Sequence, residues 1–175
     1  ETRPVGIGSC FTSAGLRGDY EALDLSGWNY RGMYEEIHAK YPRQPLVYSE
    51  SASALSEFGY YADRLPTNKT DFAVRDLRVD SYDYNAAGWS DIPDREFYRM
   101  DRDQYCAGEF VWTGIDYLGE PTPYNKWGTV TKQNAKACSR SSYFGICDLC
   151  ALPKDRYYLY RAHWNPEAFT LHLVP

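Results

Sequence analysis

Residues 44–54 read Gln-Pro-Leu-Val-Tyr-Ser-Glu-Ser-Ala-Ser-Ala. Leu46, Val47 and Tyr48 form a short apolar run of the kind buried on both faces in a parallel sheet. It stops abruptly at Ser49-Glu50-Ser51, and α/β folds place their chemistry at the C-terminal ends of such strands. The pattern recurs along the chain. Residues 2–8 read as a short strand ending in a Gly/Ser turn, and residues 22–30 as a second strand ending in a polar-aromatic cluster. Met33, Ile37 and Tyr41 repeat every four residues and predict a helix over 31–41, which Pro42 stops. Pro93-Asp94 opens a helix to about residue 105, and residues 108–116 read as a further buried strand. A last helix is predicted from 153 to 163. Beyond it, Phe169, Leu171 and Leu173 alternate as in a strand with one buried face.

Strands alternating with helices, each strand leading into a polar or aromatic cluster, predict a parallel α/β architecture with its loops grouped at one end. Four such units are visible, whereas a closed (β/α)8 barrel takes about 250 residues. A small open sheet and half a barrel both fit. Two long connections, 56–93 and one ending near Tyr143, are polar and loop-like, and loops of that length in compact domains serve as active-site walls.

Aromatic residues make up 17% of the 175 residues, with 17 Tyr and 5 Trp. That excludes a disordered segment and suits stacking against flat ligands such as sugar rings. A net charge of −5 argues against a nucleic-acid surface. No apolar run has the length of a transmembrane helix, so no membrane partner is expected. Cys10, Cys106, Cys138, Cys147 and Cys150 are not spaced as a disulfide framework, and small buried thiols are expected. Cys147-Asp-Leu-Cys150 has no second pair or nearby His to complete a zinc site, and no metal or cofactor is predicted. His38, His163 and His172 are scattered, which argues against histidine-based catalysis. Asn68-Lys69-Thr70 matches a glycosylation sequon, a common chance pattern.

The strand ends carry a more specific signal. Arg3-Pro4-Val5, Gly27-Trp28-Asn29-Tyr30, Tyr48-Ser49-Glu50-Ser51-Ala52-Ser53, the run Gly-Glu-Phe-Val-Trp-Thr-Gly-Ile-Asp-Tyr-Leu-Gly-Glu-Pro over 108–121, Ser-Ser-Tyr-Phe-Gly-Ile-Cys-Asp over 141–148 and Pro153-Lys154-Asp155 occur in this order. Together they resemble the β-galactosidase branch of glycoside hydrolase family 2. The resemblance implies that residues 1–167 are the C-terminal half, strands five to eight, of a catalytic (β/α)8 TIM barrel. Residues 168–175 would then begin a following β-sandwich domain. It implies retaining hydrolysis of β-galactosides or oligosaccharides, with Glu50 as nucleophile and Tyr30 as its hydrogen-bonding partner. Trp112 would form the floor of the sugar pocket. Asn29, Asp116 and Glu120 would contact sugar hydroxyls or the groups that bind them.

Retaining chemistry needs a second carboxyl group about 5–5.5 Å from the first. In this family it belongs to an Asn-Glu pair after strand four, and no such pair occurs in this sequence. The acid/base is therefore expected upstream, in the N-terminal half-barrel, a partner to this chain together with the flanking β-sandwich domains. β-Glucuronidases of the family use an Asn-x-Lys motif, whereas Asn125 and Lys126 are adjacent here. β-Mannosidases are a further substrate class. Lys154 and Asp155 are expected to cap and charge the last helix. A non-enzymatic carbohydrate-binding module is the rival reading, although such modules are β-sandwiches. A second rival is an inactive fragment whose exposed sheet edges favour dimerisation.

Overall fold

A computed structural model of the chain describes residues 2–72, 78–124, 139 and 141–175. In chain order the elements are β1 (Gly6–Ser9), the helical turn α1 (Thr12–Ala14) continued by a wider π-helical turn (Gly15–Asp19), β2 (Leu25–Asn29), α2 (Tyr34–Lys40), β3 (Leu46–Ser51), β4 (Ala54–Leu55), β5 (Asn85–Ala86), α3 (Pro93–Arg102), β6 (Cys106–Val111) and α4 (Asp155–Trp164). β1, β2, β3 and β6 form one wholly parallel sheet in that spatial order. The parallel α/β expectation holds. None of the helices described is long and apolar enough to cross a membrane.

One face of the sheet is covered by α2. Trp28, Leu46, Tyr48 and Cys106 from three strands pack with Tyr34 and Ile37 of α2 in a buried cluster. Each such side chain contributes about 1.5–3 kcal/mol by leaving water. The opposite face is exposed at β6. Phe110 follows Glu109, which pairs with the buried Tyr48, so the strand alternation turns Phe110 to the other side, and it is 67% exposed. A second core of Leu55, Val79, Tyr124, Tyr143 and Phe144 lies beyond the strand ends, and a third joins Phe97 of α3 to Tyr160 of α4.

Several boundaries differ from the sequence expectation for local reasons. The helix predicted over 31–41 starts only at Tyr34, because residues 30–32 all have left-handed backbone, with φ of 62°, 63° and 57°. The strand predicted over 108–116 runs instead from Cys106 to Val111. Past Trp112, whose N–H still donates to Ser51 O of β3, the backbone leaves the sheet and bonds to residues 144–147, with Thr113 N–H on Phe144 O and Asp116 N–H on Cys147 O. The connection 56–93 is a folded excursion, in which β5 returns to pair antiparallel with β4.

The strand predicted at the tail does not form. Phe169, Leu171 and Leu173 are all exposed, and no described strand lies beside them to supply backbone partners. The expectation of buried thiols holds for Cys106 but not for Cys10 and Cys150, which are exposed; Cys138 lies outside the described residues.

Candidate active site

Tyr30, just past the end of β2, is joined twice to Glu50 of β3. Tyr30 N–H donates to Glu50 O at 2.8 Å, and the Tyr30 hydroxyl donates a short hydrogen bond to Glu50 Oε2. A register shift brings these residues together. Trp28 pairs with Tyr48, but Asn29 pairs with Glu50, so Ser49 is an extra residue in β3. Without that shift the pleat would turn Glu50 to the helix-covered face; bulges re-aim side chains in this way beside active sites. The displaced Ser49 donates its hydroxyl to Asn29 Oδ1 at 2.6 Å, which orients the Asn29 amide. Glu50 is half-buried.

Left-handed backbone at Tyr30, Arg31 and Ala52 brackets the pair. Each such non-glycine residue costs roughly 1–2 kcal/mol and persists only where its surroundings fix it. Here Trp28 Nε1 donates to Tyr30 O at 2.6 Å and Ala54 N–H to Ala52 O at 2.6 Å. Burial, and then the Glu50 carboxylate, push the Tyr30 hydroxyl well above its ordinary range. It therefore stays a proton donor toward Glu50.

Trp112 enters from the end of β6, its N–H donating to Ser51 O at 2.8 Å beside Glu50. Its peptide bond to Thr113 is cis. Its indole Nε1 donates to Tyr117 Oη at 3.1 Å, and the Tyr117 hydroxyl donates to the exposed Glu120. Burial and the Glu120 bond raise the Tyr117 hydroxyl. Tyr117 was not among the site residues the sequence suggested. Its position five residues after Trp112 in a turn gives no periodic signal.

Asp116 stands apart from this group. It is buried, with Oδ1 accepting from Gly145 N–H at 2.6 Å and Oδ2 paired to Lys154 Nζ at 2.7 Å. Both oxygens serve the protein. Gly145 is required there, since a Cβ would come within 2.2 Å of Asp116 N and Cys147 O. Lys154 precedes α4 as expected, but its side chain does not charge the helix from outside. It is buried and donates to Ser56 O at 2.7 Å. Burial first, and Arg156 second, press its ammonium down to about 8. Arg156, also buried, donates to Ala54 O and Ser56 Oγ, both at 2.7 Å. Asp83 lies 2.9 Å from Arg156 without hydrogen-bond alignment, and burial outweighs that guanidinium, raising its carboxyl to about 6. These cations tie the loop after β3, residues 143–145 and α4 together around the strand ends. Asp155 does sit in the first turn of α4, where it accepts from Tyr61 and meets His172.

Among the described residues no group of three or more His, Cys, Asp or Glu side chains is placed to hold a metal ion. Asn125 and Lys126 lie outside the described residues.

The chain matches no protein-family profile. Over 99% of its length it is 35% identical to a β-galactosidase, BoGH2A, of Bacteroides ovatus, and it covers 20% of that protein. Its fold is similar to that of a β-glycosidase from Bacteroides vulgatus, with a TM-score of 0.65 and 24% identity over 93% of this chain and 22% of that one. A β-glucuronidase from Bacteroides uniformis follows at a TM-score of 0.61 and 19% identity, over 98% of this chain and 19% of that one. These two likenesses speak to the fold. The chain spans about a fifth of the length of the glycoside hydrolases it matches. The sequence likeness carries the motifs' message: over nearly its whole length this chain is a relative of the β-galactosidase branch of glycoside hydrolase family 2.

Proposed function

We propose that this chain carries the nucleophile side of a retaining β-galactosidase and folds as the C-terminal half of its (β/α)8 barrel. The observation that carries the reading is the Tyr30–Glu50 pair at the C-terminal ends of neighbouring parallel strands. The sequential order of the sheet and the exposed Phe110 on the face opposite α2 support the half-barrel. The 35% identical relative supports a galactoside as substrate.

In this reading Tyr30 holds Glu50 Oε2, which leaves Oε1 to attack the anomeric carbon. The new C1–O bond forms as the bond to the leaving group breaks, giving a glycosyl-enzyme that water later opens. The acid that protonates the leaving group, and the base that activates water, is a carboxyl group outside residues 1–175. Trp112 presents an indole fixed at its backbone and at Nε1, suited to the C–H face of a sugar ring. Asn29, oriented by Ser49, and Glu120, held by Tyr117, offer polar groups to hydroxyls. Asp116 acts at one remove, fixing the turn at Gly145 and Lys154.

Azide rescue tests the assignment. A dinitrophenyl β-galactoside needs no acid to expel its phenolate. With Glu50→Ala, azide entering the space left by the carboxylate should form a C1–N bond as that phenolate departs, giving the α-galactosyl azide. A β-azide, or rescue equal in an Asp116→Ala control, would refute Glu50 as nucleophile.

A further inference from the structure

The tail after α4 is held down although it forms no strand. His172 Nε2 lies 2.6 Å from Asp155 Oδ1, the His172 ring stacks on Tyr158 at 4.0 Å, and the Tyr82 hydroxyl donates to Pro175 O at 2.8 Å. Its residues alternate in what they meet. Thr170, His172 and Val174 border a cavity of about 300 Å³ between the tail, α4 and residues 82–83, while Phe169, Leu171 and Leu173 are exposed.

The walls of this cavity carry polar groups without partners. Asp83 borders it, and neither of its carboxylate oxygens accepts an aligned hydrogen bond from the described residues, although Arg156 Nη2 lies 2.9 Å away. Arg156 borders it as well. Its Nη1 and Nη2 are engaged by Ala54 O and Ser56 Oγ, but its buried Nε–H has no acceptor among the described residues. Folded chains leave few buried polar groups in that state, and each calls for a partner. A single water needs far less room than this cavity gives, and its volume lies at the lower end of the range of small-molecule sites. Leu159, Ala162 and Val174 supply the apolar part of the lining. None of these residues has a part in the proposed reaction.

We infer that the cavity is a binding site for a neutral, polyhydroxylated molecule of about monosaccharide size, held between α4 and the tail. An anion would answer Arg156 but would face the carboxylates of Asp83 and Asp155. A cation would answer Asp83 but would sit beside the Arg156 guanidinium. A hydroxyl group does both jobs, since it accepts from Nε–H with its lone pairs and donates its proton to a carboxylate. The C–H bonds of such a molecule suit Leu159 and Val174. The inference does not depend on the role of Glu50.

Titration of the chain with myo-inositol, followed through backbone amide NMR signals, tests it. This probe is neutral, carries a hydroxyl on every ring carbon and has no glycosidic bond for Glu50 to attack. Saturable shifts should appear at Asp83, Arg156 and His172. Ala162→Trp sets a bulky ring at an exposed position on the cavity's border, and should abolish the saturation while the melt stays unchanged. Asp83→Asn removes the charge at constant size and should weaken binding roughly tenfold. No shift, shifts that do not saturate, or saturation that survives both substitutions overturns the site and leaves the cavity to water. Sodium sulfate and an alkylammonium chloride, titrated in parallel, should leave these signals in place; saturation by either salt and not by myo-inositol overturns the neutral ligand.

Discussion

Replacing Lys154 by Met should remove one contribution to stability that rises with pH. The ammonium is buried, pressed down to about 8, against an ordinary value of 10.5. Between those values Lys154 holds more protons in the unfolded chain than in the folded one, so its contribution rises with pH. The cost of carrying the buried charge is fully present below about 8 and fades as pH climbs toward 10.5. The linkage relation gives a gain of about 1.6 kcal/mol between about pH 8 and about pH 9.5. The raised tyrosines and the thiols of Cys106 and Cys147, whose ordinary values are 10.0 and 9.0, act with the opposite sign within the same window, so the Lys154 contribution is read as the difference between the wild-type and Lys154→Met curves. In Lys154→Met the gain disappears. Among the described residues the Asp116 carboxylate is then left buried with Gly145 N–H as its partner, so the variant should also lose about 3–5 kcal/mol at neutral pH. Adding Asp116→Asn should restore part of that loss, because the two residues share one ion pair. Urea unfolding followed by tryptophan fluorescence at a series of pH values measures all three. Parallel stability curves for wild type and Lys154→Met across the window would refute the reasoning.

Gly145→Ala should prevent folding or cost several kcal/mol, since its Cβ would meet backbone atoms at 2.2 Å; circular dichroism in urea reads this, and wild-type stability would contradict it. Iodoacetamide should modify Cys10 and Cys150 in the folded chain and reach Cys106 only in denaturant, because Cys106 is buried and burial raises its thiol. Peptide mapping would expose the error if Cys106 were alkylated first. Tyr30→Phe removes a hydrogen bond to a charged group and should slow formation of a Glu50 adduct roughly 10- to 100-fold, while melting changes little. An unchanged labelling rate would remove Tyr30 from the site.

Much of this arrangement is legible along the chain. Apolar runs that stop at polar clusters mark β2 and β3, and Glu50 follows from where the second run ends. The four-residue repeat locates α2, and Pro93 locates α3. What escapes the sequence depends on contacts between distant segments. The bulge at Ser49 exists only in the pairing of β2 with β3. β6 ends at Val111 because residues 144–147 capture the backbone beyond it, and that competition cannot be read from residues 108–116. Lys154 looks like a helix-start charge until Asp116, 38 positions earlier, is found against it. The tail shows the converse: its alternation is a sound strand pattern, but a strand needs a neighbour. Tyr117 carries no periodic signal, and becomes visible only through what it touches.

The measurement that bears most directly on the account is peptide mapping of the chain after incubation with 2-deoxy-2-fluoro-β-galactosyl fluoride. Fluoride leaves without help from an acid, and the fluorine at C2 slows breakdown of the glycosyl-enzyme. The account predicts a single fluorogalactosyl adduct on the peptide containing Glu50, absent from Glu50→Gln. An adduct on another carboxylate, or none in a chain with a cooperative melt, would contradict it.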